Sequence, residues 1–147
     1  MPSPADSPGD ELLGLVRRIF DGWNADDVDA VLAVVDPEVV LDFRTTEAFP
    51  GLREEYRGHD GFREWWRRVR EPFEYWNAEP RRLFRDGDKV VADVHFVAKG
   101  GSSGVPVEMD FGNFWTFRDG LMVRFEAYPS LDDALASAGM ETERGDD

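Results

Sequence analysis

Four β-strands in hairpin succession, between residues 76 and 129, constrain this chain more than any other feature of its sequence. Residues 76–85, 89–99, 105–118 and 121–129 read as strands. The turns between them are Asp86-Gly87-Asp88, Gly100-Gly101-Ser102-Ser103-Gly104 and Asp119-Gly120, the last a two-residue hairpin signal. Strands joined this closely pair antiparallel, because a parallel pair needs a crossover of about a dozen residues or more. The second half of the chain is therefore a meander, and the first half must cover it.

That first half reads as helices. Leu12, Leu15, Val16, Ile19, Phe20 and Trp23 recur at spacings of three and four, an amphipathic helix closed by Gly22 and Asn24. Asp26-Asp27 put negative charge on the first turn of a second helix, which carries Val28, Val31, Leu32 and Val35 and stops before Pro37. Val39 to Phe43 form a short strand, with Leu41 and Phe43 on one face and Val40 and Asp42 on the other. Residues 44–58 read as a long loop. Gly58-His59-Asp60-Gly61 opens a third helix, with Phe62, Trp65, Trp66 and Val69 on its apolar side and Pro72 at its end. After the last strand, Ser130 caps a short helix that Gly139 stops.

This order predicts an α+β fold: a curved antiparallel sheet wrapped around three N-terminal helices as a cone-shaped α+β barrel, with a short C-terminal helix. With 147 residues the chain fits one domain, spanning 10–140 between a disordered tail (1–9) and a disordered acidic tail (141–147). A twisted sheet is not filled to its open end by three helices, so a pocket is expected at the mouth. Five Trp and eleven Phe supply aromatic walls for it.

Several function classes are excluded. There is no Cys, hence no disulfide, thiolate nucleophile or Cys-held metal. The net charge of −14 opposes nucleic acid and anionic membrane surfaces. No phosphate-cradling Gly loop precedes a helix, Ser102-Ser103-Gly104 is not a nucleophile elbow, and the two His lack zinc spacing. The N-terminus has no secretory pattern and no apolar run is long enough to span a bilayer, so a cytoplasmic protein is expected.

The hairpin Phe111-Gly112-Asn113-Phe114-Trp115-Thr116-Phe117-Arg118-Asp119-Gly120-Leu121-Met122-Val123-Arg124-Phe125-Glu126-Ala127-Tyr128 resembles the SnoaL-like branch of the nuclear-transport-factor-two-like superfamily. The closing Leu131 to Met140 and the start Gly58-His59-Asp60-Gly61-Phe62 resemble the same family, so the likeness spans about residues 10–140. It implies a cone with a central pocket and a homodimer formed through the outer face of the sheet. It also implies acid–base chemistry by Asp, His or Tyr, usually with no metal or organic cofactor. Members include polyketide cyclases, ketosteroid isomerases, epoxide hydrolases and dehydratases, and some members only bind. This chain has Asn113 where the family often has His, and Ser130 where it often has Asp.

The catalytic candidates are Asp42 as a base whose pKa an apolar pocket would raise, with Asn113 and Tyr56 polarising a substrate oxygen. The ligand contacts expected are Trp65, Trp66, Trp115, Phe117, Glu126 and Tyr128. Glu126 becomes an alternative base if its face is inward, and Glu108 is a further inward candidate. Asp93 and His95 share a face that reads as the outer one, and His59 reads as a solvent-facing helix start. The partner is a small, apolar, oxygen-bearing organic molecule. Three readings stay open: an isomerase, cyclase, dehydratase or hydrolase; a binding protein without chemistry; and a structural dimer whose pocket its own side chains fill.

Overall fold

The computed structural model describes residues 8–43, 53–101 and 104–140. The tails at 1–7 and 141–147, most of the loop read at 44–58, and Ser102-Ser103 lie outside the described residues. The helices are α1 (Pro8–Asn24), α2 (Val28–Leu32), α3 (Gly58–Arg70) and α4 (Leu131–Ala138). The strands are β1 (Val35–Asp42), β2 (Glu55–Arg57), β3 (Phe73–Asp86), β4 (Lys89–Gly100), β5 (Pro106–Arg118) and β6 (Leu121–Tyr128). They form one six-stranded sheet in the order β2-β1-β6-β5-β4-β3. β3 to β6 make the antiparallel meander that the turn signals require. At Asp119-Gly120 both residues have positive φ (55° and 78°), the backbone of a tight twisted hairpin.

The sheet departs from the expectation in two ways. It is mixed, because β1 runs parallel to β6, with Leu41 opposite Phe125 and Asp42 opposite Glu126. It is also open, with β2 and β3 as its edges. β2 pairs antiparallel with β1 inside the segment read as loop; three residues are too few to show a period.

The second helix is shorter than its apolar pattern suggests. Asp27 caps it, accepting from the Ala30 N–H at 3.2 Å, and the helix ends at Leu32. Val35, read as helical, begins β1 instead, since Met122 N–H donates to the Val34 carbonyl at 2.9 Å and Val35 pairs with Met122. Two consecutive β-branched residues favour that outcome. The register slips between Val35 and Val40, a stretch containing Pro37, which has no N–H to give.

Two apolar clusters sit on opposite faces of the sheet. α1, α2 and α3 cover the inner face, burying Val16, Phe20, Trp23, Phe62, Trp65 and Trp66 against Val90, Ala92, Val94, Phe96, Trp115 and Phe125. α4 covers part of the outer face, where Leu131, Ala134 and Leu135 meet Val91, Phe114 and Tyr128. The strand period of two does this sorting: Val90, Ala92 and Val94 go to one cluster, Val91 to the other. α4 begins at Ser130, whose Oγ accepts from the Asp133 N–H, and ends at left-handed Gly139, both as read. Gly112 lies beneath it; a Cβ there would meet the Ser130 carbonyl and stand 2.8 Å from Ala134 Cβ.

Side chains tie the helices to the sheet at two points and α3 to α1 at a third. Asn24, at the end of α1, donates to the Ala78 carbonyl (2.8 Å) and accepts from its N–H (2.7 Å) on the edge strand β3. His59 Nε2 stands 2.8 Å from the Val35 carbonyl, so it braces α3 against β1 and does not face solvent as read. Arg70, in the last turn of α3, donates from Nη1 to the Trp23 carbonyl at 2.6 Å.

Candidate functional site

A cavity of about 80 Å³ lies between the helices and the inner face of the sheet. Its helical wall is Ile19, Phe20 and Trp23 from α1 and Phe62, Trp65, Trp66 and Val69 from α3. Trp76 on β3, Phe111, Asn113 and Trp115 on β5, and Phe125 on β6 face them. The rings are packed on one another. Trp65 lies flat against Trp23 (centroids 4.9 Å, 11°), and Phe43 is nearly parallel to it (5.5 Å, 24°). Trp23 meets Trp66 and Trp76 edge-on, both at 4.5 Å. These geometries avoid face-to-face eclipsing and add to the area burial.

The aromatic cluster is closed on one side by a cation. The Arg70 guanidinium lies 5.2–5.8 Å from the Trp23, Trp66 and Trp76 ring centroids, with Asp26 at 3.1 Å from Nε. Burial lowers the Arg70 pKa from its ordinary value, and Asp26 partly offsets that. Trp66 Nε1 is satisfied by Asp26 at 2.8 Å. Neither Trp23 nor Arg70 was singled out from the sequence as a site residue; Trp23 closes the α1 apolar stripe, and Arg70 lies outside the apolar side read for the third helix.

Two polar atoms in the wall have no protein partner. Asn113 is 7% exposed and its Oδ1 is enclosed without a hydrogen bond; Trp65 is 9% exposed and its Nε1–H is likewise unanswered. Both residues line the cavity. Unmade hydrogen bonds at buried polar atoms cost about 1–3 kcal/mol each, and native folds keep few of them.

The other candidates fall in several places. Trp65, Trp66 and Trp115 line the cavity. Phe117 is buried, but deeper in the core and not in the lining. Tyr56 is fully buried beside Phe43, and its hydroxyl is taken by the Arg53 N–H at 3.0 Å, so it does not reach the cavity. Asp42 corrects the reading that it faces the pocket. It is 6% exposed on the outer face, where Arg124 Nη2 donates to it at 2.7 Å. Its neighbours Leu41 and Phe43 hold the inner face, and alternation sends Asp42 the other way.

Glu126 is corrected in the same way. Opposite Asp42 on the outer face, it accepts from Tyr128 Oη at 2.6 Å and lies 3.3 Å from Arg124 Nε. Tyr128 does line the cavity, but its hydroxyl is turned towards α4. It donates to Glu126, so the Ser137 hydroxyl, 2.7 Å away, donates to it. Burial raises the Tyr128 pKa above 10.0; the Glu126 bond adds to that and the Ser137 bond subtracts. Asp93 and His95 face outward as read: Asp93 pairs with Arg82, and His95 sits between Asp110 (2.7 Å) and Glu108 (2.9 Å). Glu108, read as an inward candidate, is thus on the outer face. Among the described residues no group of three His, Asp or Glu could hold a metal ion.

A family model described as "SnoaL-like domain" matches residues 16–125. Three solved structures share the fold. TerC co-crystallised with polyporic acid is 23% identical, with 88% of this chain and 97% of that chain covered and a TM-score of 0.73. RV0760c from Mycobacterium tuberculosis, in complex with estradiol-17beta-hemisuccinate, is 13% identical over 83% and 95%, at 0.70. A protein of ketosteroid isomerase-like fold from Catenulispora acidiphila DSM 44928, in complex with trimethylamine, is 16% identical over 86% and 93%, at 0.67. No curated protein matches the sequence.

Proposed function

Since the chain belongs to the SnoaL-like domain family, we propose that its function is to bind a small, largely apolar organic molecule in the cavity between helices and sheet, without reacting it. The family match and the folds of its neighbours are compatible with ligand binding and with isomerase or cyclase chemistry. The lining favours binding. Among the described residues it is apolar or aromatic apart from Asn113 and Tyr128, and it contains no carboxylate, imidazole or amine. Asn113 has no proton to exchange near neutral pH, and the Tyr128 hydroxyl is engaged on the far side of the sheet. A proton-transfer enzyme needs an acid or base within reach of the reacting atom. Small organic molecules bound to three structures of the same fold support the same reading.

The cavity of about 80 Å³ is near half the ~150 Å³ of an engineered apolar cavity that takes benzene. A ring therefore enters by displacing wall side chains or by leaving part of itself in the mouth. The packed indoles lend some weight to a structural protein with a self-filled core. The two unanswered polar atoms favour an occupant, since a core evolved only to pack would not retain them.

The test is a thermal-shift series with toluene, phenol and naphthalene on the wild type and on Asp42→Asn. A ligand binding only the folded state at one hundred times its Kd adds about 2.7 kcal/mol, or roughly 5–10 °C for a domain of this size. Asp42→Asn is expected to keep the ligand shift within twofold while lowering stability by about 1–3 kcal/mol, because it weakens a pair whose arginine is partly exposed. No shift with any compound removes the binding reading, and loss of binding in Asp42→Asn would return Asp42 to the site. The same reading carries a homodimer formed through the part of the outer sheet face that α4 leaves open, and a cytoplasmic location.

A further inference from the structure

We propose that the ligand carries a hydroxyl group on its apolar body, its oxygen accepting from Trp65 Nε1–H and its proton donated to Asn113 Oδ1. This rests on the ligand-binding reading and names the chemistry the site selects. Trp65 on α3 and Asn113 on β5 are each more than nine-tenths buried, line one cavity, and leave one donor and one acceptor unanswered. The rest of the wall is hydrocarbon, indole or a phenol already engaged, and no carboxylate, imidazole or amine of the lining answers them.

The two atoms together filter the functional group. A carbonyl or ether accepts from Trp65 but turns a lone pair on Asn113 Oδ1. An ammonium donates to Asn113 but sets its hydrogens against the indole N–H. A carboxylate is acceptor-only, and would be buried with no cation in the lining. A hydroxyl has one donor and two acceptor lone pairs, and is the smallest group to answer both. The indoles around it enclose an apolar body.

The experiment titrates the full chain, labelled with ¹⁵N, with phenol and with toluene. Phenol is expected to bind roughly tenfold tighter, the size of one to two net hydrogen bonds. The indole N–H resonance of Trp65, identified by its loss in Trp65→Phe, is expected to move downfield with phenol and to stay in place with toluene. In Trp65→Phe and in Asn113→Leu the preference for phenol is expected to fall to twofold or less. Equal affinities in the wild type, or a preference unchanged in both variants, overturn the hydroxyl and leave the binding reading standing. A water molecule holding both atoms gives the equal-affinity result and so counts against it. Failure of both compounds to bind removes the two readings together. Should a variant not fold, the wild-type affinity ratio and the indole shift decide.

Discussion

Tyr128 carries a pH dependence whose sign follows from its surroundings. Its folded pKa is raised above 10.0, first by burial and then by the bond to Glu126. The unfolded chain therefore releases this proton first as pH rises. The stability that Tyr128 contributes is present in full below about pH 10 and is lost as pH climbs through the folded value. Tyr128→Phe is expected to remove this alkaline component. The difference in ultraviolet absorbance between wild type and variant should show a phenolate that forms only above pH 10; a difference that titrates at or below 10 would contradict the burial account. Asp42 illustrates what single residues hid. The period of two in β1 was legible, so Asp42 was grouped with Val40. Which group turned inward was not, because that depends on which face the helices cover. Asn113 was found from its place in the hairpin that resembles the family, where members often have His. The Trp65 Nε1–H has no sequence signal, since an indole's partners are set wholly by tertiary contacts.

Elements were read best where a local rule fixed both ends. α4 came out as expected because Ser130 and Gly139 act as caps in their own right. β4 to β6 were read to within a residue or two because their turns are strong. β1 and α2 were misjudged at their junction, where parallel pairing to a strand some 80 residues later overrides helix periodicity. The side of the sheet that α4 takes was not legible either, yet one residue encodes it. Gly112 lets the helix settle onto β5 with no Cβ between. Gly112→Ala is expected to lift α4 and cost about 1–3 kcal/mol, the usual penalty of overpacking, read as a lower urea midpoint. An unchanged midpoint would mean that α4 is not held against Gly112.

At the scale of the whole molecule the fold class was legible from element order, whereas the free space in the cone was not. How far five indoles fill a cone depends on their mutual angles, which no pattern records. The proposed homodimer belongs to this scale as well. A surface of net charge −14 repels a second copy of itself, and the open outer face carries the Arg82–Asp93 pair and the His95, Asp110 and Glu108 group. Pairing there is expected to tighten as salt is raised, since screening weakens the repulsion. Sedimentation velocity at low and moderate ionic strength reads this directly, and a monomer under every condition removes the dimer. The open sheet has a last consequence. Its β3 border is a row of backbone groups on which a stray strand from another chain could zip up, the first step towards fibrillar aggregates. The Asn24 amide already grips both backbone groups of Ala78 near the middle of that row. An invading strand would have to dislodge the end of α1 before it could grow past that point, so a packing contact inside the fold also guards the chain against its own kind.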